Sequence, residues 1–289
     1  MRSRPLWQIA ITTLLLLAVL GVARIGGDGP RADAAAGKYR YRFERMPRGS
    51  AREAVEREIA FHQERLRRDP AAGLTLAHLG GAYLKMARAT GDLSWYLLAE
   101  QAARRGLESL PFNNDGAVAV LARVAEARHD FTGAIELADR LGGAEEGLAV
   151  LVTSNLALGR VDRGIDAADL LVEASPTLGA HTLRALARLA AGRDGDAMAD
   201  FDRAVELEQP GEAGGSALAR AYLGRAHARR GRLELARALY AEALRILPQH
   251  ALTLVLIAEL DARRGDYAAA ARHYAEVVDV SSASPNVFD

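Results

Sequence analysis

Residues 231–248 read GRLELARALYAEALRILP, a glycine turn followed by a helical stretch and a closing proline. Gly231 and Pro248 are the stop and start residues expected at the ends of a helix. Helical spacing puts Ala236, Tyr240, Ala243 and Leu244 on one apolar side, so that side alternates small and bulky residues in a fixed order. An alanine at a core position contributes little buried area. Its use there implies that a second backbone comes close.

The neighbouring sequence supplies that second backbone. Upstream, residues 217–230 (ALARAYLGRAHARR) place Gly224 and His227 ahead of the turn at Gly231. Downstream, residues 251–278 (ALTLVLIAELDARRGDYAAAARHYAEVV) carry Ala258, Gly265, Ala270 and Tyr274, the same kinds of residue 34 positions later. Gly224 to Ala236 and Ala258 to Ala270 are both 12 residues. Self-similarity at a fixed period of this size is the mark of a repeat architecture.

The same pattern runs upstream. One unit has Gly80 and Tyr83, then Ala99, Ala103, Leu107 and Pro111, with an extended hairpin at ARATGDLSWY. A second has Ala122, Asp130, Phe131, Ala134 and Ala138. A third has Gly159, Arg160, Gly164, Ala168, Leu171 and Pro176. A fourth has Ala185, Gly192, Arg193, Ala197, Phe201 and Ala204, with Arg184 and Arg188 where apolar residues are usual. Residues 59–70 (IAFHQERLRRDP) read as the second helix of a degenerate capping unit, and EQPGEAGGS as a longer, looser joint. The pattern resembles the tetratricopeptide repeat (TPR), a 34-residue helix–turn–helix, over roughly residues 51–282. No unit has the tryptophan often found early in the first helix. The resemblance implies an all-α, right-handed superhelical solenoid of antiparallel helix pairs, about six repeats long, whose first helices line a concave groove.

Composition agrees with packed helices and narrows the function. Hydrophobic residues make up 50% of the 289-residue chain but aromatics only 6%, so the core rests on Ala and Leu, the best helix formers. Net charge is zero, with 37 basic and 37 acidic residues, unlike the basic excess of nucleic-acid binders; no nucleic-acid partner is expected. There is no cysteine, which excludes disulfides, thiolate catalysis and cysteine-based metal centres. Positive charge is almost all arginine, read as the coding bias of a GC-rich bacterium.

Residues 1–24 (MRSRPLWQIAITTLLLLAVLGVAR) place Arg2 and Arg4 before an apolar run from Leu6 to Ala23. That is the pattern of a signal anchor or transmembrane helix, or of a cleaved signal peptide. The expected organisation is an anchor at 1–24, a linker at 25–50, the repeat array at 51–282 and a tail at 283–289. The membrane contact runs through residues 6–23, with the array outside the cytoplasm, or the chain is periplasmic or secreted if cleaved. Within the linker, KYRYRF (38–43) alternates basic and aromatic residues. It is expected to lie extended against the first helix of the array; the alternative is a contact with the membrane interface.

No phosphate loop, nucleophile elbow or zinc-binding H-E-x-x-H is present. The reading is non-enzymatic, with no catalytic residue, cofactor or metal. RDGDA (193–197) has an acidic look but falls at a repeat turn, where Asp and Gly belong. His227 stands where the repeat usually has Tyr and reads as a core-edge residue; Trp95 and Tyr96 read as packing for the first unit. Register on the first helices places Lys85, Arg123, Glu126, Thr153, Arg225, Arg229, Glu259 and Arg263 near the inner wall. Arg225 and Arg229 are one turn apart, so both guanidinium groups can reach one carboxylate. The expected role is a scaffold that binds a protein or peptide partner in the groove. The alternatives are self-association as a homo-oligomer through an uncapped last repeat, or an accessory subunit of an envelope complex.

Overall fold

Every helix hairpin after the first is closed by the same local chemistry. After its first helix the chain turns through a residue in the left-handed region, Gly231 at φ +76° in the fifth hairpin. The residue after it then reaches back across the turn. Arg232 N–H donates to the His227 carbonyl at 3.0 Å, Arg193 to Arg188, Arg160 to Asn155, Asp130 to Ala125 and Asp266 to Asp261. This six-residue closure satisfies a carbonyl that the helix end would otherwise leave open. In the second hairpin the left-handed position is held by His129, at φ +61°.

The computed structural model describes residues 37–44, 50–248 and 250–280. Among them are thirteen helices and no strand: α1 (Ser50–Arg68), α2 (Gly73–Thr90), α3 (Ser94–Ser109), α4 (Asp115–Ala127), α5 (Phe131–Asp139), α6 (Glu145–Ala157), α7 (Val161–Ala174), α8 (Leu178–Ala190), α9 (Asp194–Glu206), α10 (Ala213–Arg229), α11 (Leu233–Ile246), α12 (Ala251–Arg263) and α13 (Tyr267–Val280). From α2 onward they form six hairpins. The expected capping helix is longer than its sequence signature, starting at Ser50, and packs on α2. No helix among the described residues is long and apolar enough to cross a membrane. The expected anchor at 1–24 and tail at 283–289 lie outside the described residues.

The first helices α2, α4, α6, α8 and α10 each touch the next first helix, the last contact being with α12, as well as their own partner. The second helices make no comparable contact with one another, so they splay and the stack curves with the first helices inside. That explains why α10 and α12 are buried nearly all round, while α11 buries one stripe: Ala236, Leu239, Tyr240, Ala243 and Ile246.

The small residues are the crossing points. Ala99, Ala103, Ala122, Ala134, Ala168, Ala185, Ala197, Ala204, Ala236, Ala243 and Ala258 have no exposed surface. A Cβ on Gly224 would stand 2.5 Å from Cε1 of Tyr240 and 3.3 Å from the Ala236 carbonyl. Trp95 packs on Tyr83 with ring centroids 5.7 Å apart, and Tyr96 is half-buried beside the same cluster.

Two features depart from the sequence reading. KYRYRF does not lie on the first helix of the array: it fills the outer gap between the second helices α9 and α11, over α10. The EQPGEAGGS joint is not loose. Glu208 within it is fully buried, and both its oxygens accept from Arg220 of α10, at 2.9 and 3.2 Å.

Candidate functional site

The fifth and sixth hairpins enclose a cleft of about 260 Å³ on the inner side. Arg225, Ala228 and Arg229 come from α10, Tyr240 from α11, and Leu256, Glu259, Leu260 and Arg263 from α12. Helical spacing produces this set. Arg225 and Arg229 are a turn apart on α10, Glu259 and Arg263 a turn apart on α12, and the direct α10–α12 contact brings the two pairs face to face.

Electrostatics in the cleft are unbalanced. Among the described residues no carboxylate lies within 4.0 Å of Arg225, Arg229 or Arg263, and Glu259 makes no ion pair. Two arginines of α8, by contrast, face the second helices and are neutralised there. Arg184 and Arg188, which break the apolar pattern of the fourth unit, both bind the buried Asp200 at 2.7 Å, with Asp169 as a second acid and His181 Nδ1 3.0 Å from the same carboxylate. That cluster keeps the fourth unit in register. Tyr240 forms the floor of the cleft. Burial raises its phenol above the usual range, Glu259 raises it further, and Arg225 and Arg263 oppose the shift. The floor is therefore a neutral hydroxyl beneath three guanidinium groups.

The other inner-wall residues are placed differently. Lys85 donates to Glu58 at 2.8 Å and so fastens α1 to α2. Arg123 pairs with Glu126 at 2.9 Å, and Glu126 also accepts from Ser154 at 3.1 Å and from Thr153. These residues tie α4 to α6. The structure thus brings together Arg225, Arg229, Glu259 and Arg263, and gives Lys85, Arg123, Glu126 and Thr153 partners inside the stack. Sequence reasoning missed Tyr240 as a cleft residue, because its role as a packing ring accounted for it fully. Asp194 and Asp196 of RDGDA lie in the first turn of α9, and among the described residues no group of three or more His, Asp or Glu could hold a metal ion.

No protein-family model matches the chain, and no curated protein does. Solved structures do match. A chain of the APC/C hetero-tetramer Cut9–Hcn1 aligns with TM-score 0.68 and 15% identity over 83% of this chain and 46% of its own. A chain of the human IFIT1 dimer with PPP-AAAA aligns with TM-score 0.68 and 15% identity over 80% and 56%. A thermophilic TPR protein of Thermus thermophilus aligns with TM-score 0.52 and 22% identity over 67% and 99%. This chain spans about half the length of the first two. Together with the hairpin chemistry and the stacked first helices, these likenesses give the chain the fold of a TPR solenoid.

Proposed function

We propose that the protein is a non-enzymatic scaffold that holds an acidic stretch or free C-terminus of a protein partner in the cleft between α10 and α12. The observation that carries this reading is the gathering of Arg225, Arg229 and Arg263 around a single carboxylate, Glu259, over a neutral phenol floor. A bidentate carboxylate offers paired guanidinium groups a planar, charge-assisted fit. Fluorescent hexapeptides with and without acidic residues, each with a free or amidated C-terminus, test it on the full-length chain. Acidic or free-carboxylate peptides bind best, the R225E/R229E variant loses at least tenfold in affinity, and the binding weakens with added salt. Equal binding to both forms would sink the proposal. A 5′-triphosphorylated oligo(A) is the competing probe, since IFIT1 was solved with PPP-AAAA; the zero net charge of this chain favours the peptide.

The scaffold is proposed to sit at a membrane through residues 6–23, with the array outside the cytoplasm, on the strength of Arg2, Arg4 and the apolar run that follows. Protease shaving of intact cells checks this placement, since an array inside the cytoplasm would survive. Self-association is a second reading, favoured by Tyr267 and Tyr274, which are exposed on one face of α13. A Tyr267→Ser/Tyr274→Ser variant that sediments like the unaltered chain would remove it.

A further inference from the structure

The outer gap between α9 and α11 has the properties of a ligand site, and its occupant is part of the same chain. Residues 38–43 enter it through a turn at 37–40, closed by the Arg40 N–H on the Gly37 carbonyl at 3.3 Å, with Tyr39 and Tyr41 turned inward, Phe43 half-buried and Lys38, Arg40 and Arg42 between them. Tyr39 and Tyr41 are buried, the first against Phe201, Leu223 and Leu239, the second against Ala217, Ala243 and Ile246. Apolar contact alone does not fix a strand in one register; here the backbone is also read. Arg220, fully buried, donates from Nε to the Tyr39 carbonyl at 2.7 Å, and the Tyr41 N–H donates to Glu242 Oε1 at 2.7 Å. The flanking groups are matched too. Asp202 accepts from the Tyr39 hydroxyl at 2.7 Å and from Lys38 at 2.9 Å, and Arg42 donates to the Glu206 carbonyl at 2.8 Å. The Arg220 guanidinium lies 5.8 Å from the centre of the Tyr41 ring.

Every one of these contacts crosses more than 160 residues of sequence. Those hydrogen bonds all go to α9, α10 and α11, and among the described residues none goes to α1, the helix that follows the segment. Within this gap lies a fully buried ion pair, Arg220–Glu208, whose guanidinium Nε is aimed at the segment.

We propose that the groove bounded by α9, α10 and α11 is a binding site for a short non-helical peptide with aromatic residues at alternate positions and basic residues between them, and that residues 38–43 occupy it as a ligand supplied in cis. It lies on the opposite side of α10 from Arg225 and Arg229 and is independent of the arginine cleft. A partner segment of the same pattern enters by the same contacts once the cis segment has left. Tethering gives the cis ligand a high effective concentration, so the free site is revealed only when the tethered segment is weakened.

The test uses the full-length chain and a fluorescein-labelled peptide GKYRYRFE, matching residues 37–44. In a Tyr39→Ala/Tyr41→Ala chain the tethered segment is released. The peptide then binds saturably, at least tenfold tighter than to the unaltered chain, and a peptide carrying the same two alanines does not. A released chain that keeps its helical circular dichroism but binds neither peptide, or both equally, would overturn the proposal. Hydrogen exchange on the unaltered chain decides the matter even if that variant fails to fold. The Tyr41 amide exchanges at least tenfold faster than the α10 amides, and excess peptide lowers its protection further while α10 is unchanged. If Tyr41 exchanges only as fast as α10, the segment is part of the folded core and the proposal is wrong.

Discussion

At Gly224 the two helices of the fifth hairpin are so close that the position admits only a hydrogen as a side chain. A methyl there would come within 3 Å of two atoms of the Tyr240 ring, which is 1% exposed and packed against α12 residues. The ring cannot retreat without opening a gap elsewhere, since protein interiors are close-packed. Gly224→Ala is expected to destabilise the chain by about 1–3 kcal/mol, the usual cost of an overpacked core, despite the better helix propensity of alanine. Urea melts of the two forms check it, and an unchanged midpoint would refute the close-approach reading. At Gly164 a Cβ would meet a δ-methyl of Leu156 at 2.9 Å, but that is the end of a flexible, half-buried side chain that can turn aside, so Gly164→Ala costs less than Gly224→Ala.

Among the elements, the turns separate what can be read in a sequence from what cannot. Gly231 and its counterparts were legible because a left-handed turn selects glycine and a close crossing selects alanine, both local demands. His129 takes the same conformation without a glycine, which normally costs about 1–2 kcal/mol, partly offset because glycine loses more freedom on folding. His129→Gly is therefore expected to stabilise the second hairpin by about 0.5–1 kcal/mol, seen as a higher urea midpoint. The cleft was half legible. Spacing gives the pairs Arg225/Arg229 and Glu259/Arg263, but it cannot show that Lys85 meets Glu58 or that Glu126 meets Ser154. Those acids and hydroxyls arrive on other helices. The outer groove was the least legible. Alternation in KYRYRF announces an extended strand, yet its receptors Asp202, Arg220 and Glu242 lie in helices whose own periodicity gives no hint of a guest.

Among the described residues each hairpin packs mainly on its neighbours, apart from the tie made by residues 38–43, so stability is close to a sum of local terms. Several of those terms depend on pH, His62 in α1 and the carboxylates of Glu64, Asp92, Glu100 and Glu242 among them, and the two histidines lowered furthest both lie in the fifth and sixth hairpins. His227 is buried in α10 with neither ring nitrogen hydrogen-bonded among the described residues, and burial, with Arg232 and Arg230 nearby, lowers its pKa to about 4 against a pull from Asp202. Burial lowers His250, at the start of α12, to about 4 as well. In the unfolded chain both titrate near 6.5. Above that value both states are neutral and nothing is lost. As pH falls from 6.5 towards 4 the unfolded form takes up protons that the folded form refuses, so stability declines, by up to about 1.4 kcal/mol per pH unit for each histidine. Below about 4 the folded form takes up the protons as well and the decline from these two groups stops. Because the losses are local, acid should loosen the fifth and sixth hairpins before the second or third. Hydrogen exchange at pH 7.5 and pH 5, corrected for the intrinsic rate, resolves this: protection falls in α10 to α13 while α4 to α7 hold. His227→Gln, which cannot take up the proton, recovers part of the α10 protection at pH 5. Uniform loss along the stack would mean that the acid sensitivity belongs to the whole array and not to these two imidazoles.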